Sequence, residues 1–275
     1  MIPVTVMIFT LDEEVHLRSC LDSVKWCDDV IVVDSFSSDN TEKICREKGV
    51  RFFQHKFEGF GTQRNWALEN TQPKYDWVLI LDADEWVTKE LADEIGGIMK
   101  LMPKDAGAFR LKRRFYMWGR WLRHSGLYPS WVVRLVHKDR VSYSDRGHAE
   151  TQMVDGKIFS LKNDLMDENL KGIDEWFDRQ NRYSSKEAAY ELEEFSKNPV
   201  RFVDFFSSDP LIRRQTFKKI SWELPARDWC YFVYSYFFRL GFLDGKEGLV
   251  FSMMKSVYYR MIVAKKHDLL NRGKK

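Results

Sequence analysis

The stretch "WVLILDADEW", residues 77–86, places three carboxylates, Asp82, Asp84 and Glu85, within four positions at the end of an apolar run. Carboxylates this close repel one another. Removing them from water without a counter-charge costs several kcal/mol or forces protonation. A divalent cation shared with phosphate oxygens, Mg2+ or Mn2+, would relieve the repulsion. Asp34 closes a second apolar run, "VIVVD", and Thr10 to Glu14 follow a third, "PVTVMIF". Three strand-like runs therefore end in groups that can bind a cation or hydrogen-bond a ligand. No His/Cys cluster has zinc spacing, and none of Cys20, Cys27, Cys45 and Cys230 forms a C-x-x-C pair. These four read as reduced, buried thiols of a cytosolic protein.

The elements that must position these groups are legible as a pattern. Apolar runs at 3–9, 30–34, 50–55 and 76–82 predict strands, and spacing with capping residues at 13–24, 37–49 and 61–71 predicts helices between them. Such alternation predicts an open α/β sheet covered on both faces. Ligands of these sheets bind beyond the carboxyl ends of the strands, where Asp34, Asp82 and Asp84 fall. From residue 106 the sequence predicts a strand running into an aromatic turn, then a hairpin turning at Lys138-Asp139. A helical pattern begins near Asp174. The last segment reads as two aromatic helices joined at "LDGKEG" and interrupted by Arg239, Lys255 and Arg260.

The chain has 275 residues, of which 44% are hydrophobic and 31% charged, which supports a core and excludes a polytopic membrane protein. Its opening, "MIPVTVMIFTLDEE", has no basic leader and reads as a first strand. No apolar run reaches the roughly 18 residues needed to span a bilayer. Residues 197–275 hold 16 Lys and Arg against 7 Asp and Glu, whereas the remainder holds 28 against 34. That split points the C-terminal part at an anionic surface or leaves it a solvated basic face. Its aromatic helices would lie in a membrane interface, pack on each other, or pair with a second copy. No recognised nucleic-acid reader motif is present.

In order along the chain, "FTLDEE", "VIVVDSFSSDNT", "GFGTQRNWAL", "WVLILDADEW", "SWVVRLVHKDR", "HAE", "WFDRQNRYSSKEA" and "YFFRLGFLDGKEGL" resemble the motifs of the family 2 glycosyltransferases, most closely the lipopolysaccharide core β-glucosyltransferase-like branch. The resemblance implies the GT-A nucleotide-diphospho-sugar transferase fold, a Rossmann-like open α/β sheet with a C-terminal helical extension. It divides the chain into a catalytic domain at 1–160 and an acceptor-side, membrane-proximal helical region at 161–275. It implies inverting transfer from a nucleotide-diphosphate sugar, a UDP-sugar, to a lipopolysaccharide-core or lipid-linked glycan. The setting would be the cytoplasmic face of a bacterial inner membrane. Asp84, with Asp82, would hold a divalent cation, Mg2+ or Mn2+, on the donor diphosphate. Thr10, Glu13, Asp34, Arg64, Asp82 and Arg134 would hold the donor, and Glu150 would take the acceptor proton. Departures from the family pattern are Asp12 where Asn is usual, Ser35 where many relatives have Asp, His148 one position early, and Asp167-Glu168 where many carry His-Tyr.

Each assignment has a plainer alternative. Asp34 would cap the helix that follows it, Glu150 would sit in a surface salt bridge, and Arg64 would be an exposed helical arginine. Arg134 would partner a buried acid. Trp118, Trp121 and Trp131 would either flank an acceptor cleft or pack in the core. His124 has no metal-ligand spacing and reads as structural. At the level of function, the alternatives are a polyprenyl-phosphate or protein glycosyltransferase and a non-catalytic nucleotide-sugar-binding scaffold.

Overall fold

In the computed structural model of the chain the described residues are 2–147, 149–199, 202–206, 210–224 and 226–272; His148 lies outside them. The first half alternates as the sequence predicts: β1 (Thr5–Thr10), α1 (Glu14–Ser23), β2 (Val30–Asp34), α2 (Thr41–Lys48), β3 (Arg51–Gln54), α3 (Phe60–Asn70) and β4 (Trp77–Asp82). β3, β2, β1 and β4 are neighbours in that order, all parallel. Both faces are buried, which is why these strands read as continuous apolar runs. Val6, Ile8, Leu79 and Leu81 pack on one face with Leu17 of α1, while Met7, Val33 and Ile80 pack on the other with Ala67 of α3. α2 begins later than its capping residues suggest. Ser37 to Asn40 are occupied in the loop, with the Ser37 amide on Asp34 Oδ2 (2.9 Å) and Asp39 Oδ1 accepting from the Thr41 amide (2.9 Å).

β5 (Glu85–Trp86) and α4 (Lys89–Lys100) follow, and Thr88 caps α4 by accepting from the Leu91 amide. The sheet then becomes mixed. β6 (Ala106–Met117) turns through Trp118 and Gly119, both at positive φ, into the two-residue β7 (Arg120–Trp121). β8 (Ser130–His137) lies antiparallel between β4 and β6. The chain does turn at Lys138–Arg140, but not as a hairpin. β9 (Val141–Arg146) leaves the large sheet and pairs with β10 (Ala149–Val154). Leu135 and Val136 of β8 are fully buried, whereas β9 exposes Ser142, Ser144 and Asp145 and contributes Tyr143 to the core. Asn65 of α3 exchanges two hydrogen bonds with the Tyr143 backbone (2.8 and 2.9 Å), taking the place of a neighbouring strand. β11 (Lys157–Ser160) and β12 (Leu165–Glu168) both run parallel to β6, and β12 also pairs with β5, so the ten-stranded sheet continues through residue 168.

Among the described residues after the sheet the long elements are helices: α5 (Gly172–Lys197), α6 (Pro210–Ser221), α7 (Arg227–Val233) continued by a π-helical turn at Tyr234–Phe238, and α8 (Gly245–Arg272). α8 packs on α5 through Ala188, Tyr258 and Ile262, and on the end of β6 through Met254 and Met117. Asp244, just before α8, joins this unit to the sheet. Its buried carboxylate accepts from the amides of His124 (2.9 Å) and Ser125 (2.7 Å) and from the Ser125 hydroxyl (2.8 Å). The cysteines are free. Cys20 and Cys45 are buried and Cys27 is half-buried, but Cys230 is exposed, contrary to expectation, because it lies on the outward side of α7.

Candidate active site

The parallel register delivers the site. Thr10 pairs with Asp34, and Phe9 pairs with Asp82, so the carboxyl ends of β1, β2 and β4 meet at one edge. Asp82, Asp84 and Glu85 follow there but live in different electrostatic surroundings. Asp82 is held by Arg134 Nη2 (2.5 Å) and Arg64 Nη2 (3.3 Å). Burial pushes its carboxyl up, but Arg134 and Arg64 outweigh that and keep it well below the usual carboxylate range. Glu85 is fully buried, accepts from Arg134 (2.6 Å) and takes the Asp82 amide (3.0 Å), so it is a structural acid. Arg134 thus partners two acids at once. Asp84 differs. Among the described residues no Arg or Lys pairs with it, and it accepts one long hydrogen bond from Asn169 (3.4 Å). Burial, then Asp82 and Glu13, push its carboxyl up.

Arg64 is positioned by an arrangement that explains the "GFGTQRNWAL" motif. Asp145 of β9 caps α3, accepting from the Gly61 amide (2.7 Å) and the Thr62 hydroxyl (2.6 Å). A Cβ on Gly59 would meet Asp145 at 2.3 Å and one on Gly61 would meet the Ser144 backbone at 2.9 Å, so only glycine permits this approach. Glu150 lies opposite Asp145 in the β9–β10 pair. The buried Arg64 reaches back to form an ion pair with Glu150 while also touching Asp82. Two clefts meet at this arginine. One, of about 420 Å3, is lined by Thr10, Glu13, Arg64, Asp82 and Asp84; the other, of about 400 Å3, by Arg64, Asp82, Trp131, Arg134 and Glu150. Trp131 lines the second cleft; Trp118 and Trp121 line neither, and Trp121 instead packs against Arg114 at 4.5 Å.

Asp34 does not line the first cleft; it is fully buried beside Thr10, which does, and accepts from Thr10 Oγ1 (2.8 Å), the Ser37 amide and hydroxyl, and Gln54 (3.3 Å). Glu13 pairs with His16 (2.6 Å) and Lys171 (2.6 Å). Asp12 takes a left-handed backbone (φ 53°) and accepts from the Ser38 amide (2.7 Å). Asn and Asp tolerate that conformation best, which accounts for Asp standing where Asn is usual. Ser35 accepts from Gln63 (3.2 Å) on the cleft wall.

Several contributors carry no role in the sequence reading, although three of them lie in the motif "WFDRQNRYSSKEA". Arg179, Arg182 and Lys186 of α5 line the first cleft with Asp84, and Glu175 stands 3.7 Å from Arg179 and 4.0 Å from Arg182. The spacing 175, 179, 182, 186 marks one helical face and was the available signal. Arg113 of β6 pairs with Asp167 of β12 (3.0 Å), and Asp167 is buried beside Glu85 in register. Burial and Asp84 push the Asp167 carboxyl well up. Nothing in the local sequence announces that pairing across 54 positions.

Among the described residues no three His, Cys, Asp or Glu side chains gather into a ready-made metal cage. A hard cation bound through one or two carboxylates and substrate phosphates needs none, and Asp84, acidic and without a basic partner, suits that role.

The sequence profile described as "Glycosyl transferase family 2" matches residues 5–161. The chain belongs to this family, and its architecture is that of a GT-A sugar transferase. It is 26% identical over 270 residues to the lipopolysaccharide core biosynthesis glycosyltransferase LpsC of Rhizobium meliloti, covering 94% of this chain and 93% of that one. It is 27% identical over 277 residues to an uncharacterised glycosyltransferase of Rickettsia typhi, covering 97% and 87%. Among solved structures, the mannosyltransferase PcManGT from Pyrobaculum calidifontis, in complex with GDP-mannose and Mn2+, superposes with a TM-score of 0.54 at 14% identity, covering 96% of this chain and 86% of that one.

Proposed function

We propose that the protein is a metal-dependent, inverting glycosyltransferase that moves sugar from a UDP-sugar to a lipopolysaccharide-core or lipid-linked glycan. It would work at the cytoplasmic face of a bacterial inner membrane, with residues 1–160 as catalytic domain and 161–275 as acceptor-side region. The observation that carries this reading is Arg64, which lines both clefts and pairs with Asp82, shared by the two, and with Glu150 of the second. A donor in the first cleft and an acceptor in the second would meet across it. The similarity to LpsC along nearly the whole chain supports the lipopolysaccharide-core acceptor.

In this reading Thr10, Glu13 and Asp34 face the nucleoside, and Asp34 releases Ser37 or Gln54 to do so. Arg64 and Arg134 draw the diphosphate toward Asp82. Asp84, with Asp82, holds the divalent cation, Mg2+ or Mn2+, whose Lewis acidity offsets charge on the departing diphosphate when it is bound. Glu150 accepts the proton of the attacking hydroxyl.

The test is thermal melting with UDP, GDP, CDP and ADP, each with and without Mn2+. A ligand at 100 times its Kd stabilises by about 2.7 kcal/mol. A Mn2+-dependent shift with UDP alone supports the donor assignment; a shift with GDP alone overturns the uridine preference, and none with any nucleotide overturns the transferase reading. Glu150→Gln should lower kcat by roughly a hundredfold or more while leaving the UDP shift unchanged. Loss of the shift would move Glu150 to the donor side.

A further inference from the structure

We infer that residues 229–243 form a docking surface that seats the protein on an anionic phospholipid bilayer. This deepens the membrane-proximal part of the proposed function by assigning it to one patch of named residues. The segment is built inside out. On α7 and the turns after it, Arg227, Asp228, Ser235 and Asp244 are buried, while Trp229 (61% exposed), Phe237 (54%), Phe238 (77%) and Leu243 (53%) face outward. Trp229, Val233 and Phe237 recur every four residues, one stripe on one face. The inward polar groups are satisfied: Arg227 pairs with Glu191 (2.8 Å), and Asp228 accepts from Arg260 (2.8 Å). The outward aromatic stripe therefore belongs to a stable fold and is not a packing fault. Apolar patches of this kind on a folded surface mark an interaction site.

Charge identifies the occupant. No Asp or Glu lies between residues 229 and 243, where Arg239 is the sole charge, and residues 197–275 carry nine more basic than acidic side chains. Lys246 stands exposed at the start of α8, 3.8 Å from the largely buried Glu247. Tryptophan, tyrosine and phenylalanine with flanking bases and no acids suit the headgroup boundary of an anionic leaflet. Among the described residues no helix is long and apolar enough to cross a membrane, so the segment lies on the bilayer. It is also rigidly tied to the catalytic sheet. Asp244 holds the His124 and Ser125 amides, and Arg239 Nη2 donates to the Tyr128 carbonyl (3.0 Å). α8 then continues from the patch to Lys255, which lies within electrostatic reach of Arg113 and of the cleft residue Arg179. A bilayer bound at 229–243 would thus stand at a fixed attitude to the clefts.

The experiment is co-sedimentation of the full chain with vesicles of phosphatidylcholine alone and of phosphatidylcholine with an equal part of phosphatidylglycerol. Wild type should pellet with the mixed vesicles and stay in solution with the neutral ones. The variant F237S/F238S should lose that partition by roughly tenfold or more with its melting temperature and its UDP–Mn2+ shift unchanged. A double variant that still pellets like wild type overturns the assignment, as does a wild type that binds neither vesicle. A change from dimer to monomer in sedimentation velocity, with no vesicle binding, also overturns it in favour of a contact between copies. The nucleotide shift, read on the same samples, reports separately on the donor site.

Discussion

The carboxyl edge of the sheet and the aromatic cap at residues 229–243 break the same rule in opposite directions. At the edge, charges are buried: Glu85, Arg134 and Asp167 are withdrawn from bulk water, while Asp82 keeps 34% of its side chain exposed. At the cap, large apolar rings are exposed. The edge is compensated internally, residue by residue. Arg134 and Arg64 answer Asp82, Arg134 answers Glu85, and Arg113 answers Asp167. Asp84 alone in that cluster lacks a basic partner among the described residues. At the cap the rings touch one another, Trp229 on Phe232 and Tyr236 on Phe237, yet Trp229, Phe237 and Phe238 stay exposed. In the proposed function a cation with its diphosphate would complete Asp84, and in the proposed docking a lipid surface would cover Phe237 and Phe238.

The comparison breaks most directly at Asp84. Asp84→Asn should lower kcat/KM by on the order of a thousandfold and abolish the Mn2+-dependent part of the UDP shift. The fold should be as stable as wild type or more so, because a repelled buried charge is removed. A variant that loses activity together with its melting transition would make Asp84 a structural acid like its neighbours. Arg134→Met is the converse. It leaves Asp82 and Glu85 without their shared partner and should cost about 3–5 kcal/mol in chemical denaturation. A cost near zero would show that the edge is not held by that arginine.

The edge was legible in the sequence and the cap only in part, for a physical reason. Strands buried on both faces leave apolar runs with sharp ends, so Asp34 and Asp82 could be placed at strand termini from local pattern alone. Asp34 as a fully buried, four-bonded acid could not, because its partners Thr10, Ser37 and Gln54 are gathered by the fold. The expected hairpin at Lys138 failed because Asn65, more than seventy positions upstream, covers the edge of β9. Arg113, Arg179 and Arg182 went unassigned for the same reason: helical and strand spacing fixes which face a residue takes, not what that face meets. In the tail, composition announced aromatic helices, but which rings turn outward is decided by Asp228 and Asp244 turning in. Cys230, expected to be buried, follows that outward face.

The link between the two regions can be weakened by itself. Asp244→Ala removes the acceptor of two backbone amides and a hydroxyl, leaving donors buried beneath the cap at about 1–3 kcal/mol. Gly248→Ala should act alike, since its Cβ would meet the Gly241 carbonyl at 2.3 Å. Both should reduce vesicle binding and stability while the UDP–Mn2+ shift at the edge persists. A nucleotide shift that vanished with the cap would show that the two regions form one cooperative site.

The finest contrast is one of sign. Asp164 is buried, where Asp84 is half-buried, and it accepts from Arg114 (2.6 Å) and Tyr128 (2.9 Å) and pairs with Lys112 (3.1 Å). Burial pushes its carboxyl up, but Arg114, Tyr128 and Lys112 outweigh this and hold it below the usual range. Its stabilisation is therefore complete above the unfolded value of about 3.9 and is lost as pH falls through the depressed folded value. The Asp84 carboxyl is raised, so its ionised form destabilises at neutral pH, and that penalty fades as pH falls from the raised folded value toward about 3.9. Asp164→Asn should be less stable than wild type at neutral pH, with the deficit shrinking below about pH 4. Asp84→Asn should be more stable at neutral pH, with the gain disappearing over the interval above about pH 4. Urea denaturation of both variants across that range reads the two slopes directly. Parallel slopes would mean that the two acids share one environment, and the distinction between compensated and ligand-seeking carboxylates would fail at the residue on which it depends most.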